Sequence, residues 1–166
     1  MSIAGTAIKT MNRRPATLRA RLDDRLLGEL YDHALAAYPE ECCGMIRRSG
    51  LRKCRNQQNA LHRQDPANHP RTARRAFALT ADDDLFLAES QDADDSVLAV
   101  YHSHPDEVTC FSATDRAAAL CNGKPVYPEL LHVVIACQAD RVSEARVFGF
   151  VDGDYVEVLR FEGMAV

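Results

Sequence analysis

The stretch Val97–Asp115, VLAVYHSHPDEVTCFSATD, constrains the chain more than any other. Val97 to Tyr101 form an apolar run too short for a helix and suited to a buried strand. The run delivers His102 and His104, one residue apart. Side chains alternate faces along a strand, so an i, i+2 pair points the same way and two imidazoles can converge at the strand's end. Pro105 cannot donate to a sheet ladder and ends the run. After a loop, Ser112-Ala113-Thr114-Asp115 precedes an Ala- and Leu-rich segment, which predicts a helix whose first turn carries Asp115.

Two histidines and one carboxylate make a common catalytic metal set with a position left for water. Each half has a plainer explanation. A single His is usually a polar side chain with a satisfied hydrogen bond, and Ser-x-x-Asp is a helix start in its own right. Their coincidence at this spacing favours a metal site held by His102, His104 and Asp115.

The pattern His-x-His, seven residues, Ser-x-x-Asp resembles the signature of the JAMM (MPN+) zinc metalloproteases. His102, Ser103, His104, Pro105, Ser112 and Asp115 match it. The family also carries an upstream glutamate in a Pro-x-Glu-x-Cys-Gly setting, and Pro39-Glu40-Glu41-Cys42-Cys43-Gly44 fits. The resemblance spans roughly Arg21 to Phe161. It implies zinc on His102, His104 and Asp115, Glu41 as general base, and Ser112 as a donor to the developing oxyanion. Spacing by itself does not choose Glu41 over Glu40. Ser112 and Asp115 are equally suited to capping the helix, so both roles stay open.

Composition bounds the rest. With 166 residues, 46% of them hydrophobic, the chain has the size and apolar content of one soluble domain. No apolar run approaches the roughly 18 residues of a membrane span, and the N-terminus lacks the continuous apolar core of a secretory signal. A cytoplasmic location is expected. The six cysteines form no Cys-x-x-Cys pair and read as reduced thiols. A net charge of −4 argues against general nucleic-acid affinity. The charge is uneven, however: nine basic residues against the single acid Asp65 lie between Arg47 and Arg75, and Asp82 to Glu107 carries only acids. The basic run suits either a solvated face or docking of an acidic protein.

Along the chain, residues 1–17 lack any apolar period and are expected to be a flexible extension, with a single domain over 18–166. Asp23 or Asp24 starts a helix that Pro39 stops. Cys43–Arg48 and Leu51–Arg55 form a hairpin, residues 56–75 read as loop, and Phe77–Leu79 as a short strand. Asp82 begins an acidic helix, and a further helix runs from about Ser112 to Cys121. Leu130–Cys137 reads as a buried strand, followed by a second hairpin around Asp152-Gly153-Asp154.

These elements predict an α/β (α+β) domain. The family resemblance implies a cytidine-deaminase-like curved mixed sheet flanked by helices. It also implies a zinc-dependent peptidase acting at the C-terminal Gly-Gly of a ubiquitin-like or sulfur-carrier protein. Two alternatives stand beside that: a non-catalytic MPN scaffold, and a non-haem iron enzyme using the same two-His, one-carboxylate set.

Overall fold

The computed structural model describes residues 13–106 and 108–165. Its centre is a six-stranded mixed sheet in the order β2-β1-β3-β6-β7-β8. The strands are β1 (Cys43–Arg47), β2 (Leu51–Cys54), β3 (Val97–Pro105), β6 (Leu131–Gln138), β7 (Arg141–Val151) and β8 (Asp154–Ala165). Only β3 and β6 run parallel, and every other neighbouring pair is antiparallel. The expected mixed sheet flanked by helices is therefore what the chain forms.

Two helices cover one face. Helix α2 (Asp24–Ala37) is capped by Asp23, whose carboxylate accepts the Leu26 N–H at 2.8 Å. Its Leu26, Leu30, Tyr31 and Ala34 pack on Ala99, Tyr101, Leu131, Val133 and Ile135 of the sheet. Tyr38, held extended before Pro39, closes it. Helix α1 (Arg13–Arg21) adds the fully buried Leu18 to the same core.

Helix α1 corrects the expected boundary of the extension. Residues 13–17 are helical, with Pro15 in the first turn, where its missing N–H costs nothing. Arg14 donates to the Glu129 carbonyl at 3.1 Å and pairs with the Glu129 carboxylate at 3.3 Å. Residues 1–12 lie outside the described residues.

The opposite face carries α4 (Ala81–Ser90), capped by Thr80. Leu87 of α4 packs with Cys43, Met45, Val97, Val100 and Leu130. A third cluster, Phe111, Val134, Phe148 and Tyr155, occupies the β6–β8 side of the same face. Between the two clusters lies a cleft.

Gly44 shows how tightly β1 and β3 approach. A Cβ there would come within 2.4 Å of the Tyr101 ring and 2.6 Å of the Arg52 carbonyl. Its absence lets Tyr101 reach through to His33 of α2, with 2.8 Å between the hydroxyl and Nδ1. The β7–β8 hairpin turns as expected, with Asp152 and Gly153 both at positive φ.

Three local expectations are corrected. Residues 58–64, read as loop, form the short helix α3 (Gln58–Gln64), which has no apolar stripe because only Gln58 is buried. Phe77–Leu79 is not a strand. Helix α5 (Ala113–Ala119) ends two residues before Cys121. Leu120–Cys121 (β4) instead pairs with Lys124–Pro125 (β5) around Asn122-Gly123, both at positive φ as a tight hairpin requires.

Candidate metal centre

Strand β3 is buried along its whole length, so His102 and His104 are presented from a rigid support. In the register, Cys43 of β1 faces His102 and Val134 of β6 faces it from the other side. Both histidines thus project from the face opposite α2, into the cleft between the two clusters. Asp115 arrives from the first turn of α5 and completes the set.

His102 Nε2 lies 3.0 Å from His104 Nε2 and 3.3 Å from one Asp115 oxygen, and His104 Nε2 lies 3.6 Å from the other. Donor atoms from all three side chains fall within 4.8 Å of one another. Bonds of roughly 2.0–2.1 Å in a tetrahedral arrangement separate the donors by about 3.3 Å. The observed spacings bracket that value, so the three side chains fit one zinc-sized ion with a coordination position to spare.

His104 Nδ1–H donates to the Val108 carbonyl at 3.0 Å. This fixes the tautomer and leaves the Nε2 lone pair aimed at the site. The ring of Phe77 stacks on His102, 4.6 Å between centroids and 24° from parallel, and covers that ligand from the side. Burial lowers the His102 pKa. Burial acts the same way on His104, but its hydrogen bonds to Asp115 and Val108 outweigh this and raise it. Burial alone would raise the Asp115 carboxyl, yet bonding to both imidazoles holds it well below the usual carboxylate range. The set favours an ionised carboxylate, the form that binds a cation.

Ser112 and Asp115 form a reciprocal cap. The Ser112 hydroxyl oxygen accepts the Asp115 N–H at 3.1 Å, and an Asp115 carboxylate oxygen accepts the Ser112 N–H at 2.8 Å. The capping carboxylate oxygen also lies 3.6 Å from His104, so the cap and the site share it. The second carboxylate oxygen faces His102, and the Ser112 hydroxyl proton is left available because the cap engages only its oxygen.

Glu41 and Glu40 part ways. The Glu41 side chain is buried and lines the cleft together with His102, His104, Ser112 and Asp115. Its N–H donates to the Ala73 carbonyl at 2.7 Å, and its carbonyl accepts from Asn56 Nδ2 at 3.0 Å. Glu40 is exposed, and its carboxylate accepts from Asn59 at 2.6 Å. Asn56 also bonds the Ala76 carbonyl and the Ala78 N–H, at 3.1 Å each. One half-buried amide thus fastens Glu41 and the segment carrying Phe77.

The family model for prokaryotic homologs of the JAB domain matches residues 23–148. The chain belongs to that family. The JAB family includes metalloproteases, and the His-His-Asp cluster sits on the segment where the JAMM signature was read. No curated protein matches the chain. Among solved structures it is similar to the solution structure of DSY2949 from Desulfitobacterium hafniense, with TM-score 0.55, 16% identity, and coverage of 81% of this chain and 86% of that one. That likeness shows the shared fold. The solution structure of a Salinibacter ruber protein also resembles it, with TM-score 0.48, 23% identity and 82% and 86% coverage.

The cleft has a volume of about 640 Å³ and extends well past the His102, His104 and Asp115 cluster. Phe77, Leu79, Val100, Tyr127, Leu130, His132 and Tyr155 also line it. Sequence reasoning assigned no role to His132, because a single His in an apolar strand carries no spacing signal. Burial, reinforced by His102, pushes its pKa down to about 4, so it is neutral.

The basic run is partly neutralised within the chain. Arg52 pairs with Asp83 at 2.8 Å and lies over the Phe86 ring, and Arg47 pairs with Asp95 at 3.3 Å. The acidic stretch after residue 82 is the internal partner of these arginines. Lys53 and Arg55 remain exposed, and Arg71 lies exposed at the cleft rim.

Proposed function

We propose that this protein is a zinc-dependent peptidase or isopeptidase that hydrolyses an amide at the C-terminal Gly-Gly of a ubiquitin-like, sulfur-carrier type protein in the cytoplasm. The observation that carries the proposal is convergence: a complete two-His, one-carboxylate set and a buried carboxylate from a distant segment share one cleft. A binding scaffold has no need of both.

His102, His104 and Asp115 would hold the ion. When bound, zinc lowers the pKa of its water toward about 7 and polarises the scissile carbonyl. Glu41 takes the proton of the attacking water and passes it to the leaving amine. The Ser112 hydroxyl donates to the oxygen on which negative charge develops. Phe77 and the sheet keep bulk water from His102, which strengthens each of these interactions.

Metal analysis of protein purified without added metal tests the ion, and iron in place of zinc would favour an oxygenase. Hydrolysis of a sulfur-carrier protein extended beyond Gly-Gly tests the reaction. Wild-type, zinc-loaded protein that cleaves neither this substrate nor short Gly-Gly peptides is a scaffold.

A further inference from the structure

The metal set leaves one lobe of the cleft without a task. Next to His102 on β3, the floor continues to Val100, and the parallel register sets His132 of β6 directly opposite. Leu130 packs with Val100, and Tyr127, Leu79 and Phe77 pack around them, all lining the same cleft. These side chains are almost wholly apolar, and one polar side chain stands among them.

That side chain is the His132 imidazole. Its ring is held 5.0 Å from Phe111 and 5.2 Å from Tyr155, the latter at 89°, so its orientation is fixed by packing. Its ring nitrogens make no hydrogen bond to any described residue. A neutral imidazole carries one donor and one acceptor. Here both are offered beside an apolar hollow that adjoins the scissile position.

We propose that this lobe is the subsite for a large apolar side chain, aromatic or branched, on the substrate residue next to the scissile amide, and that His132 hydrogen-bonds the main chain of that residue. The proposal rests on the peptidase function above. A Gly-Gly tail fills the acyl side and brings no side chain, so the occupant is the first residue of the leaving segment. Val100, Leu130 and Tyr127 supply apolar contact, and His132 fixes how the residue lies.

The test uses the full, zinc-loaded chain and peptides containing Gly-Gly-X, with X as Phe, Leu, Gly or Asp. The kcat/KM for Phe and Leu should exceed that for Gly and Asp at least tenfold, the scale on which a hydrophobic pocket discriminates. His132→Phe keeps the ring's shape and removes its polar atoms. It should retain zinc and unfolding temperature while KM for the Phe peptide rises several-fold and kcat holds, with His132→Gln restoring part of the loss. In parallel, phenylalaninamide and glycinamide are titrated into the zinc-loaded protein, and the His132 ring resonances are followed by NMR. Phenylalaninamide should shift them at lower concentration. Cleavage with equal kcat/KM for every X overturns the subsite and leaves the peptidase function standing. A preference that appears only when the acyl residue is varied also overturns it. Selective shifts by phenylalaninamide with no peptide cleaved would support the subsite and overturn the peptidase. The absence of both the preference and the selective binding would overturn the subsite.

Discussion

The Nδ1 atom of His104 lies 3.0 Å from the carbonyl oxygen of Val108, which makes the loop between His104 and Asp115 part of the candidate metal centre. The same loop is anchored again where the buried Thr109 hydroxyl donates to Glu144 of β7. What orients His104 is backbone, and the Val108 side chain is 73% exposed. Purified protein should hold about one zinc per chain by elemental analysis. His104→Ala should lose it, because two remaining donors hold zinc poorly. Val108→Ala should keep it, since the carbonyl is unchanged. Full zinc occupancy in His104→Ala would place the ion elsewhere.

Glu41→Gln separates binding from chemistry. The amide is isosteric and Glu41 is not among the three donors, so zinc content and unfolding temperature should match the wild type. Activity should fall by something like the 10² to 10⁴ that a positioned general base supplies. Glu40→Gln should be close to neutral, because Glu40 is exposed and bonds Asn59 away from the cleft. Steady-state kinetics of the pair decides. A larger loss in Glu40→Gln would mean the upstream motif is shifted by one residue.

The parts of this fold that could be read in advance are those where pattern and environment agree. Strand β3 is legible because alternation forces His102 and His104 to one face, and the β7–β8 turn because Asp-Gly accepts positive φ. Helix α1 escaped because it buries a single side chain, Leu18, which is no period at all. Helix α3 escaped for a different reason: the Asn56 side chain, not an apolar stripe, holds its start by accepting the Gln58 N–H at 3.0 Å. Asn122-Gly123 did carry a hairpin signal, and the alanines before it masked where the helix stops. Phe77 and His132 owe their places to contacts with residues far along the chain, on which local pattern is silent. The motif could name Glu41 only through family resemblance, whereas the structure separates it from Glu40 by burial.

The half-buried His132 makes stability depend on pH in a definite direction. Its pKa falls from 6.5 to about 4 on folding, chiefly through burial. Between those values the unfolded chain binds a proton that the folded chain refuses, so stability is lost as pH drops from about 6.5 toward 4. The loss from this group is at most about 3 kcal/mol, one proton held off over that interval. Chemical denaturation at pH 7.5, 6, 5 and 4.5 on wild type and His132→Phe should show a flatter dependence in the variant. The charges of His102 and Asp115 act on His132, so the difference between the two curves reports His132 together with its coupling to them. Parallel curves would mean that His132 is protonated without penalty in the fold.

The partner prediction concerns charges that pair with no acidic side chain among the described residues. A Gly-Gly tail offers little to grip, so affinity for a folded substrate must come from its body, and electrostatic complementarity suits that by raising association rates and fixing orientation. Arg52 is a poor candidate for such a role. It pairs with Asp83, which Thr80 also bonds at the start of α4, so Arg52→Glu should instead lower the unfolding temperature. Lys53 and Arg55 are exposed at the end of β2, on the segment leading to Asn56 and the cleft. The double variant Lys53→Glu, Arg55→Glu should reduce kcat/KM on an acidic ubiquitin-like protein while leaving a short Gly-Gly peptide unaffected. The wild-type rate on the protein substrate should fall with added salt, since screening shortens the reach of these charges to about 10 Å at 0.1 M. The mechanism separates cleanly by substrate. Equal losses on protein and peptide would mean a damaged site, and no loss on either would return this surface to plain solvation.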